Sequence, residues 1–362
     1  MKEPVRLRAQ LLAAAIAIVV AVAAGEVVMR IARDPPGYFP INHREDSLYA
    51  AHPVRGYTLK PGAHHRYVTP EVNVPIDVSS DGLRDTTLAE IQRADTRILA
   101  VGNSFTMGLA VANEDTWSKQ LERLLAARDP RRRVHVVNAG VAGYSPRQIR
   151  LRMDELLPIV RPQTVIFELT TQTFGRMFHP NVLFAGTLIR ADVLPGIRSV
   201  HGGLLYSPYK QAWLRSVDYW LNLHFQLGAH ILRRASVILG AMPRDSMNEA
   251  DSTWIRGAMQ PALDELAAAH GFAAARHVPF LVLLANAQLP DGSYSPLEWL
   301  YNAIVIERCK KEGIRYIDLL PTLVRSSAGP PIFRTPHDQH WTPAAHALAA
   351  RALLDSISHR GP

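Results

Sequence analysis

The sequence predicts an α/β domain with a mainly parallel five-stranded sheet and helices on both faces. Hydrophobic residues make up 48% of the 362 residues, which is ample for a buried core. From about residue 96 onward, short apolar runs alternate with segments of helical periodicity. This alternation is typical of three-layer α/β/α domains with parallel strands.

An apolar run near the N-terminus predicts a membrane anchor or an export signal. Lys2, Arg6 and Arg8 precede the uninterrupted apolar residues 11–24. Positive charge before such a run favours a cytoplasmic N-terminus and translocation of the downstream chain. As a helix the run spans about 21 Å, less than the ~30 Å hydrocarbon core, but continuation through Ile31 would close the gap. We favour a retained anchor over residues 1–33, and an A-x-A-like site at residues 21–24 keeps a cleaved signal peptide as the alternative.

Residues 34–95 are predicted to form a linker followed by a small β-rich lead-in. This stretch is rich in proline and contains only short alternating segments, at residues 67–74 and 76–78. The domain proper is therefore expected at residues 96–358.

Within residues 96–358 the predicted elements follow one another in order. The five strands are predicted at residues 97–101, 133–137, 164–169, 280–284 and 316–320. The helices are predicted at residues 115–128, 146–157, 296–311 and 342–356. The last helix has Thr342 as its N-cap and Pro343 at its first position. In parallel sheets, ligand chemistry is expected at the carboxyl ends of the strands.

An insertion at about residues 175–251 interrupts the alternation. Apolar side chains at three- and four-residue steps predict one long amphipathic helix inside it: Trp213, Val217, Trp220, His224, Leu227 and Ile231. We favour a helix packed on the domain. A helix on a membrane surface, with Arg233 and Arg234 nearby, or a lid over the site are the alternatives.

Composition excludes several classes of function. The net charge is +8, but no block of Lys and Arg exceeds three residues, so nucleic acid is not an expected partner. Cys309 is the single cysteine, which excludes an intrachain disulfide and a thiolate metal cage. The composition does not indicate an oligomeric state.

Two loops at predicted strand ends carry residues suited to acyl chemistry. Ser104 follows the first strand between Gly102 and Gly108, where its hydroxyl would stand at the edge of the sheet and its backbone N–H could face an oxyanion. Residues 138–145 follow the second strand, and their two glycines permit close backbone approach to a ligand. Taken alone, each loop could be an ordinary helix cap or tight turn.

Asp338 and His340 lie two residues apart just before the last helix. A serine nucleophile needs a neighbouring base, most often histidine, and a carboxylate that orients the histidine. These two residues fit both roles. The alternatives are a surface loop or a metal site made of His337, Asp338, His340 and His346, whose spacing matches no zinc signature.

Together these segments resemble the SGNH/GDSL hydrolase family over roughly residues 45–358. The family's G-D-S block is similar to residues 102–104, its Asn-to-Gly block to residues 138–143, and its Asp-x-His block to residues 338–341. The D-x-H-W form is similar to a membrane-anchored or periplasmic branch that handles O-acetyl groups on envelope polysaccharides such as alginate. Segments at residues 56–62 and 81–85 also resemble lead-ins of anchored members.

The sequence departs from the family pattern at two places. Asn103 stands where the family has aspartate, which loses a charge but keeps hydrogen bonding. The family's G-x-N-D block should fall at residues 170–174, where the oxyanion asparagine is absent. Gln172 could supply the same amide on a longer side chain, or the N–H groups of Ser104 and Gly143 would act alone. A weakened or inactive member is the third possibility.

The resemblance implies a flavodoxin-like fold and a serine-dependent ester hydrolase of the cell envelope. In that mechanism Ser104 attacks an ester carbonyl, His340 takes its proton and Asp338 orients His340. Ser104, Gly143 and Gln172 would form the oxyanion hole, and no metal or cofactor is expected. The expected substrate is an O-acylated carbohydrate or a small ester, with the domain outside the cytoplasm. An O-acetyltransferase acting on an exopolysaccharide and a non-catalytic scaffold that binds glycan or a partner are the alternatives.

Overall fold

The computed structural model of the protein describes residues 3–32, 38–40, 48–184, 187–200, 203–238, 252–289, 291–326, 333 and 340–358. The helices are α1 (Glu3–Ala32), α2 (Leu88–Ile91), α3 (Ser104–Met107), α4 (Trp117–Arg128), α5 (Pro146–Val160), α6 (Thr171–Phe178), α7 (Ala212–His224), α8 (Gln226–Ile238), α9 (Ser252–Ala274), α10 (Pro296–Lys311), α11 (Leu320–Ser326) and α12 (Pro343–Ser358). The strands are β1 (Tyr38–Pro40), β2 (Tyr49–His52), β3 (Gly56–Leu59), β4 (His64–Val68), β5 (Asn73–Asp77), β6 (Thr96–Val101), β7 (Val134–Asn138), β8 (Thr164–Leu169), β9 (Asn181–Phe184), β10 (Thr187–Arg190), β11 (Ile197–Val200), β12 (Gly203–Tyr206), β13 (Phe280–Leu284) and β14 (Arg315–Asp318).

The chain divides into two compact units. The larger unit comprises His43–Ala191 and Ala250–Pro362. The smaller unit comprises Met1–Asn42 and Asp192–Glu249.

The larger unit is built on a five-stranded sheet in which every neighbouring pair of strands is parallel. The spatial order is β7-β6-β8-β13-β14, the flavodoxin-like order in which the first strand lies between the second and third. Alternate residues of β6 enter two different cores: Leu99 and Val101 face one, Ile98 and Ala100 the other. The predicted three-layer α/β/α fold is confirmed.

Most predicted elements of the sheet domain are present, with shifts at their ends. The strands predicted at 164–169 and 280–284 have the predicted bounds. The fifth strand ends at Asp318, because the Asp318 carboxylate accepts the N–H of Leu320 and α11 begins there. Helix α4 begins at Trp117, since Asn113–Asp115 forms a 3-10 turn and Thr116 caps the helix.

Helix α9, of 23 residues, was not anticipated from the sequence. Gly257, Pro261 and Gly271 lie within this segment, and residues of these two types disfavour the interior of a helix. Ile255, Met259 and Leu266 of α9 belong to the core on one face of the sheet.

The lead-in of the larger unit consists of two antiparallel hairpins, β2–β3 and β4–β5. Tyr57 of β3 donates a hydrogen bond of 3.0 Å to the carbonyl oxygen of Ala142, and Tyr144 donates one of 2.8 Å to the carbonyl oxygen of Tyr57. The lead-in therefore fixes the loop that follows β7, which contains Gly143.

The insertion contains two helices where the sequence predicted one. Helix α7 ends at His224 and α8 begins at Gln226, with Phe225 between them in a non-helical conformation (φ −146°, ψ 80°). The carboxylate of Glu26 accepts hydrogen bonds from the N–H groups of Gln226 and Leu227, which caps α8 as a new helix. The prediction of a single continuous helix was therefore wrong.

The smaller unit also contains a three-stranded antiparallel sheet, β1-β12-β11, and the helix α1. Residues Ala9–Ile31 of α1 have a mean hydropathy of 2.6 over the most apolar window, and this window is not buried within the described residues. Its length and composition suit a membrane anchor or a signal sequence, as the sequence predicted.

Candidate active site

Ser104 is the first residue of α3 and follows directly on β6. Asn103 caps this short helix, and its side-chain oxygen accepts the N–H of Phe105 at 2.9 Å. Backbone N–H groups in the first turn of a helix have no partner within the helix, so that of Ser104 can serve an incoming oxyanion. The Ser104 side chain is largely buried yet lines a cavity.

Glu168 of β8 supports the nucleophile loop from the neighbouring strand. Its Oε2 accepts hydrogen bonds from the N–H of Asn103 at 2.8 Å and from Oγ1 of Thr106 at 3.0 Å. A Cβ at Gly102 would lie 2.2 Å from both of these side-chain oxygens, so only glycine fits at that position. Burial raises the pKa of Glu168 to about 7, which favours the neutral carboxyl.

The supporting role of Glu168 was not predicted from the sequence. A single acidic residue inside the apolar run of β8 was the available signal, because a buried carboxyl needs hydrogen-bond partners.

The loop after β7 brings Gly143 to the same edge of the sheet. Gly143 has φ of +75°, and a Cβ there would lie 2.2 Å from the side-chain nitrogen of Asn181. Earlier in this loop, the N–H of Val141 donates to the carbonyl oxygen of Gly102 at 3.1 Å. The two glycine-containing loops are thus held together by backbone contact.

His340 is placed by its neighbour Trp341. The buried indole of Trp341 donates a hydrogen bond of 2.9 Å to the carbonyl oxygen of Asn286 and meets the ring of Phe105 edge-on, with centroids 5.0 Å apart. The ring of His340 lies 5.5 Å from that of Phe105 between centroids. Since Phe105 follows Ser104 in the chain, these contacts bring His340 to the nucleophile loop. Asp338, the predicted partner of His340, lies outside the described residues.

Burial prevents His346 from acting as an acid or a base near neutral pH. Its Nδ1 accepts a hydrogen bond of 3.1 Å from the N–H of Trp117. Burial, with smaller contributions from Arg84 and His340, lowers its pKa to about 3. His346 is therefore a neutral residue of the core near neutral pH.

The segment that replaces the third family block forms the start of α6. Thr170 caps the helix and accepts a hydrogen bond of 2.9 Å from the side-chain amide of Asn103. Gln172 follows in the first turn and lines the cavity. Asn103, the first departure from the family pattern, is therefore bonded to Thr170, two residues before the second departure, Gln172.

The cavity has a volume of about 280 Å³ and belongs to the larger unit. Four of the predicted site residues line it: Ser104, Gly143, Gln172 and His340. Other lining residues were not predicted from the sequence, among them His65, Tyr67, Arg176 and Asn181. Arg176 follows Gln172 by four residues and shares its face, which becomes evident only once residues 171–178 are known to form α6.

Neither the single cysteine nor a cluster of metal-binding side chains adds to the chemistry of this cavity within the described part of the chain. Cys309 is buried in α10, and burial raises the pKa of its thiol to about 12, so it is not a reactive thiolate. Among the described residues, no group of three or more His, Cys, Asp or Glu side chains could hold a metal ion.

A serine after the first strand of a flavodoxin-like sheet, sharing a cavity with a histidine next to the last helix, defines the protein as a serine hydrolase that acts on esters. The sequence model of the GDSL-like Lipase/Acylhydrolase family matches residues 100–348, and the chain belongs to this family.

Several solved structures are similar to this chain in fold. An alpha/beta hydrolase enzyme from the metagenome of Lake Arreo, Spain, is 16% identical, with a TM-score of 0.44 over 74% of this chain and 98% of its own. The esterase EstA from Pseudoalteromonas sp. is 13% identical (TM-score 0.40, 73% and 98% covered). An acetyl xylan esterase from Geobacillus stearothermophilus is also 13% identical (TM-score 0.39, 74% and 97% covered). No curated protein matches the sequence significantly.

Proposed function

We propose that the protein is an acyl-ester hydrolase that acts through Ser104, His340 and Asp338 on O-acylated glycans of the cell envelope. The observation that carries the proposal is the convergence of Ser104 and His340 on one cavity, although they are far apart in the sequence. His340 takes the proton of Ser104 as its Oγ attacks the ester carbonyl, and Asp338 orients the imidazole. Water then releases the acyl group from Ser104.

The oxyanion of the tetrahedral intermediate is held by the backbone N–H groups of Ser104 and Gly143 and by the amide of Gln172. Support comes from the lining of the cavity, which includes all three residues. The left-handed conformation of Gly143 and the position of Ser104 at a helix start suit backbone donation.

The charge of the cavity favours an anionic glycan. Arg176 lines it, and among the described lining residues none is acidic. The net charge of +8 acts in the same direction over longer range. Acetylated oligosaccharides with carboxylate groups are expected to show a higher kcat/KM than neutral ones, and Arg176→Gln is expected to reduce this preference.

Helix α1 is proposed to anchor the protein in a membrane with the catalytic unit outside the cytoplasm. The three basic residues before the apolar run support this orientation. Resistance of the full-length protein to carbonate extraction from membranes is the expected result for an anchor. Release into the soluble fraction with a shortened N-terminus would indicate a cleaved signal peptide.

Labelling by a fluorophosphonate probe tests the nucleophile. The wild-type protein is expected to be labelled and to hydrolyse an acetyl ester, and Ser104→Ala is expected to do neither. Ser293→Ala, at an exposed serine outside the cavity, is the matched control and should behave as wild type. Persistent labelling of Ser104→Ala would exclude this nucleophile, and absence of labelling in the wild type would favour a binding scaffold.

The acceptor of the acyl group is tested by the same assay. A hydrolase turns over an acetylated donor at a rate that an added glycan does not change. A large acceleration by glycan, with acetyl groups recovered on it, would identify an O-acetyltransferase with the same triad.

A further inference from the structure

Helix α7 of the smaller unit exposes an apolar face. Trp213 and Trp220 are 67% and 58% exposed, and Val217 and Leu223 are also exposed. These residues follow one another at steps of three or four, so they form one face of the helix. The sequence prediction favoured packing of Trp213, Val217 and Trp220 on the domain, and their exposure contradicts it.

The opposite face of α7 is polar and buried. The carboxylate of Asp218 accepts hydrogen bonds from Arg233 of α8, at 3.1 Å from Nε and 2.8 Å from Nη2. Asn222 donates to the Asp218 carboxylate at 3.1 Å, and the hydroxyl of Tyr219 donates to the carbonyl oxygen of Gly196 at 2.7 Å.

This polar network fixes the rotation of α7 about its axis. A rotation that buried Trp213 and Trp220 would expose or break the ion pair between Asp218 and Arg233. The exposed apolar face is therefore a fixed property of this unit, and large exposed apolar patches mark interaction surfaces.

The turn at Phe225 between α7 and α8, called the α7–α8 corner below, is hydrogen-bonded to the C-terminal part of α1. The Glu26 carboxylate accepts the N–H groups of Gln226 at 3.0 Å and Leu227 at 2.8 Å. The guanidinium of Arg30 donates to the carbonyl oxygen of His224 at 2.8 Å. Residues on both sides of the corner are thus bound to one turn of α1.

This turn of α1 lies where a spanning helix would leave the hydrocarbon. About 20 residues of helix cross a hydrocarbon core of ~30 Å. Counted from Arg8, the last basic residue before the apolar run, the far boundary falls near Val28, between Glu26 and Arg30. The α7–α8 corner is therefore at the level of the lipid headgroups when α1 spans a bilayer.

The residues of this segment match a lipid boundary in chemistry. Tryptophan is enriched where the hydrocarbon meets the headgroups, because its ring is apolar and its indole N–H is polar. Residues 192–238 carry five basic residues against two acidic ones, which favours anionic lipids: Arg198, Lys210, Arg215, Arg233 and Arg234 against Asp192 and Asp218.

We propose that the exposed face of α7 lies in the headgroup region of the bilayer that α1 spans, with Trp213 and Trp220 as its interfacial anchors. The inference rests on the proposed anchoring by α1 and is independent of the ester chemistry. It assigns to the insertion a role in fixing the protein on the membrane surface through a second contact.

Tryptophan quenching by brominated lipid tests this placement. The full-length protein is reconstituted in nanodiscs of phosphatidylcholine and phosphatidylglycerol, with or without phosphatidylcholine brominated near the top of its acyl chains. Helix α1 contains no tryptophan, so its own insertion gives no signal. Wild-type emission is expected to fall with brominated lipid, and the double variant Trp213→Phe/Trp220→Phe is expected to lose most of this quenching.

The matched control is Trp117→Phe, at a tryptophan fully buried in the larger unit, and it should keep the quenching of the wild type. The placement of α7 would be overturned if the double variant were quenched as strongly as the wild type. It would also be overturned if the wild type were anchored in the bilayer but not quenched, and in both cases the anchoring by α1 would stand. Extraction of the wild type by carbonate would instead overturn both. Concentration-dependent energy transfer between labelled copies, without quenching, would assign the face to a second copy of the chain. Ester hydrolysis, measured on the same samples, reports separately on the proposed function.

Discussion

The side-chain amide of Asn103 donates a hydrogen bond of 2.9 Å to Oγ1 of Thr170. Oγ1 of Thr173 lies 2.6 Å from the carbonyl oxygen of Thr170, so the Thr173 hydroxyl proton is donated there. The Thr170 hydroxyl then donates to Oγ1 of Thr173 at 2.9 Å and accepts from Asn103. Residue 103 must therefore be a donor, a role that an ionised aspartate cannot fill.

Asn103→Asp, which restores the residue typical of the family, is expected to harm this protein. The carboxylate would face the acceptor side of Thr170, and an unsatisfied buried group costs about 1–3 kcal/mol. Both the free energy of unfolding and kcat should fall, as measured by urea denaturation and an acetyl-ester assay. The double variant Asn103→Asp/Thr170→Gly removes the conflict and should recover part of each loss. A single variant as stable and active as wild type would contradict this account of the network.

Gly143→Ala is expected to reduce kcat/KM by about 10²-fold, the typical effect of losing one oxyanion donor. A Cβ would lie 2.2 Å from the Asn181 amide and 3.0 Å from the Tyr57 hydroxyl, so the loop must move. Gly313→Ala is the control, because Gly313 also has positive φ but its Cβ would meet no described atom within 4 Å. It should cost about 1 kcal/mol of stability and leave the activity unchanged. Equal activity of the two variants would remove Gly143 from the oxyanion hole.

Gln172 is tested by a series that separates its amide from its size. Gln172→Ala and Gln172→Glu both lose the N–H donor and should lower kcat by about 10²-fold with little change in KM. Gln172→Asn keeps the amide, in the form typical of the family, and should retain much of the activity. Full activity in the alanine variant would show that the backbone donors suffice without Gln172.

Glu168→Gln is expected to change how stability depends on pH. The pKa of Glu168 is raised from 4.5 to about 7 in the folded protein, mainly by burial. Between these two values the folded state binds more protons than the unfolded state, so the free energy of unfolding falls as the pH rises. The loss is on the order of 3 kcal/mol by pH 8. Glutamine cannot ionise, and its oxygen can still accept from Asn103 and Thr106.

The stability of the Glu168→Gln variant relative to wild type should therefore increase from pH 4.5 to pH 8, measured by urea denaturation at each pH. The pKa of His346 is lowered to about 3 in the folded protein, so the free energy of unfolding also falls as the pH drops below 6.5. This effect is the same in both proteins and cancels when their stabilities are compared. Parallel profiles for the two proteins would show that Glu168 does not titrate in this range.

Trp341→Phe tests how the histidine is placed. The variant keeps an aromatic ring against Phe105 but leaves the carbonyl oxygen of Asn286 without its indole donor. A loss of about 1–2 kcal/mol in stability is expected, together with a reduced kcat because His340 adjoins the residue. Trp299→Phe, at an exposed tryptophan of α10, should change neither quantity. Unchanged kcat in Trp341→Phe would mean that His340 is positioned by other contacts.

Local sequence signals sufficed for the strands of the sheet and for the positions of Ser104, Gly143 and His340. Strands β8 and β13 are compact apolar runs, which a parallel sheet covered on both faces requires. Polar residues and glycines that directly follow parallel strands lie at the same edge of the sheet, and this does not depend on how the side chains pack. The role of Glu168 could not be derived in this way, because it depends on the neighbouring strand β6 and its loop.

By itself, the sequence determined the fold class, the family resemblance and the edge of the sheet at which the chemistry is expected. Only the tertiary structure decided that Asn103 bonds Thr170 and that α7 turns its tryptophans outward. Periodicity reveals that a helix has an apolar face, but it contains no information on what that face contacts. In α7 the ion pair between the buried Asp218 and the partly buried Arg233 fixes the orientation, and its partners come from separate helices that only folding brings together.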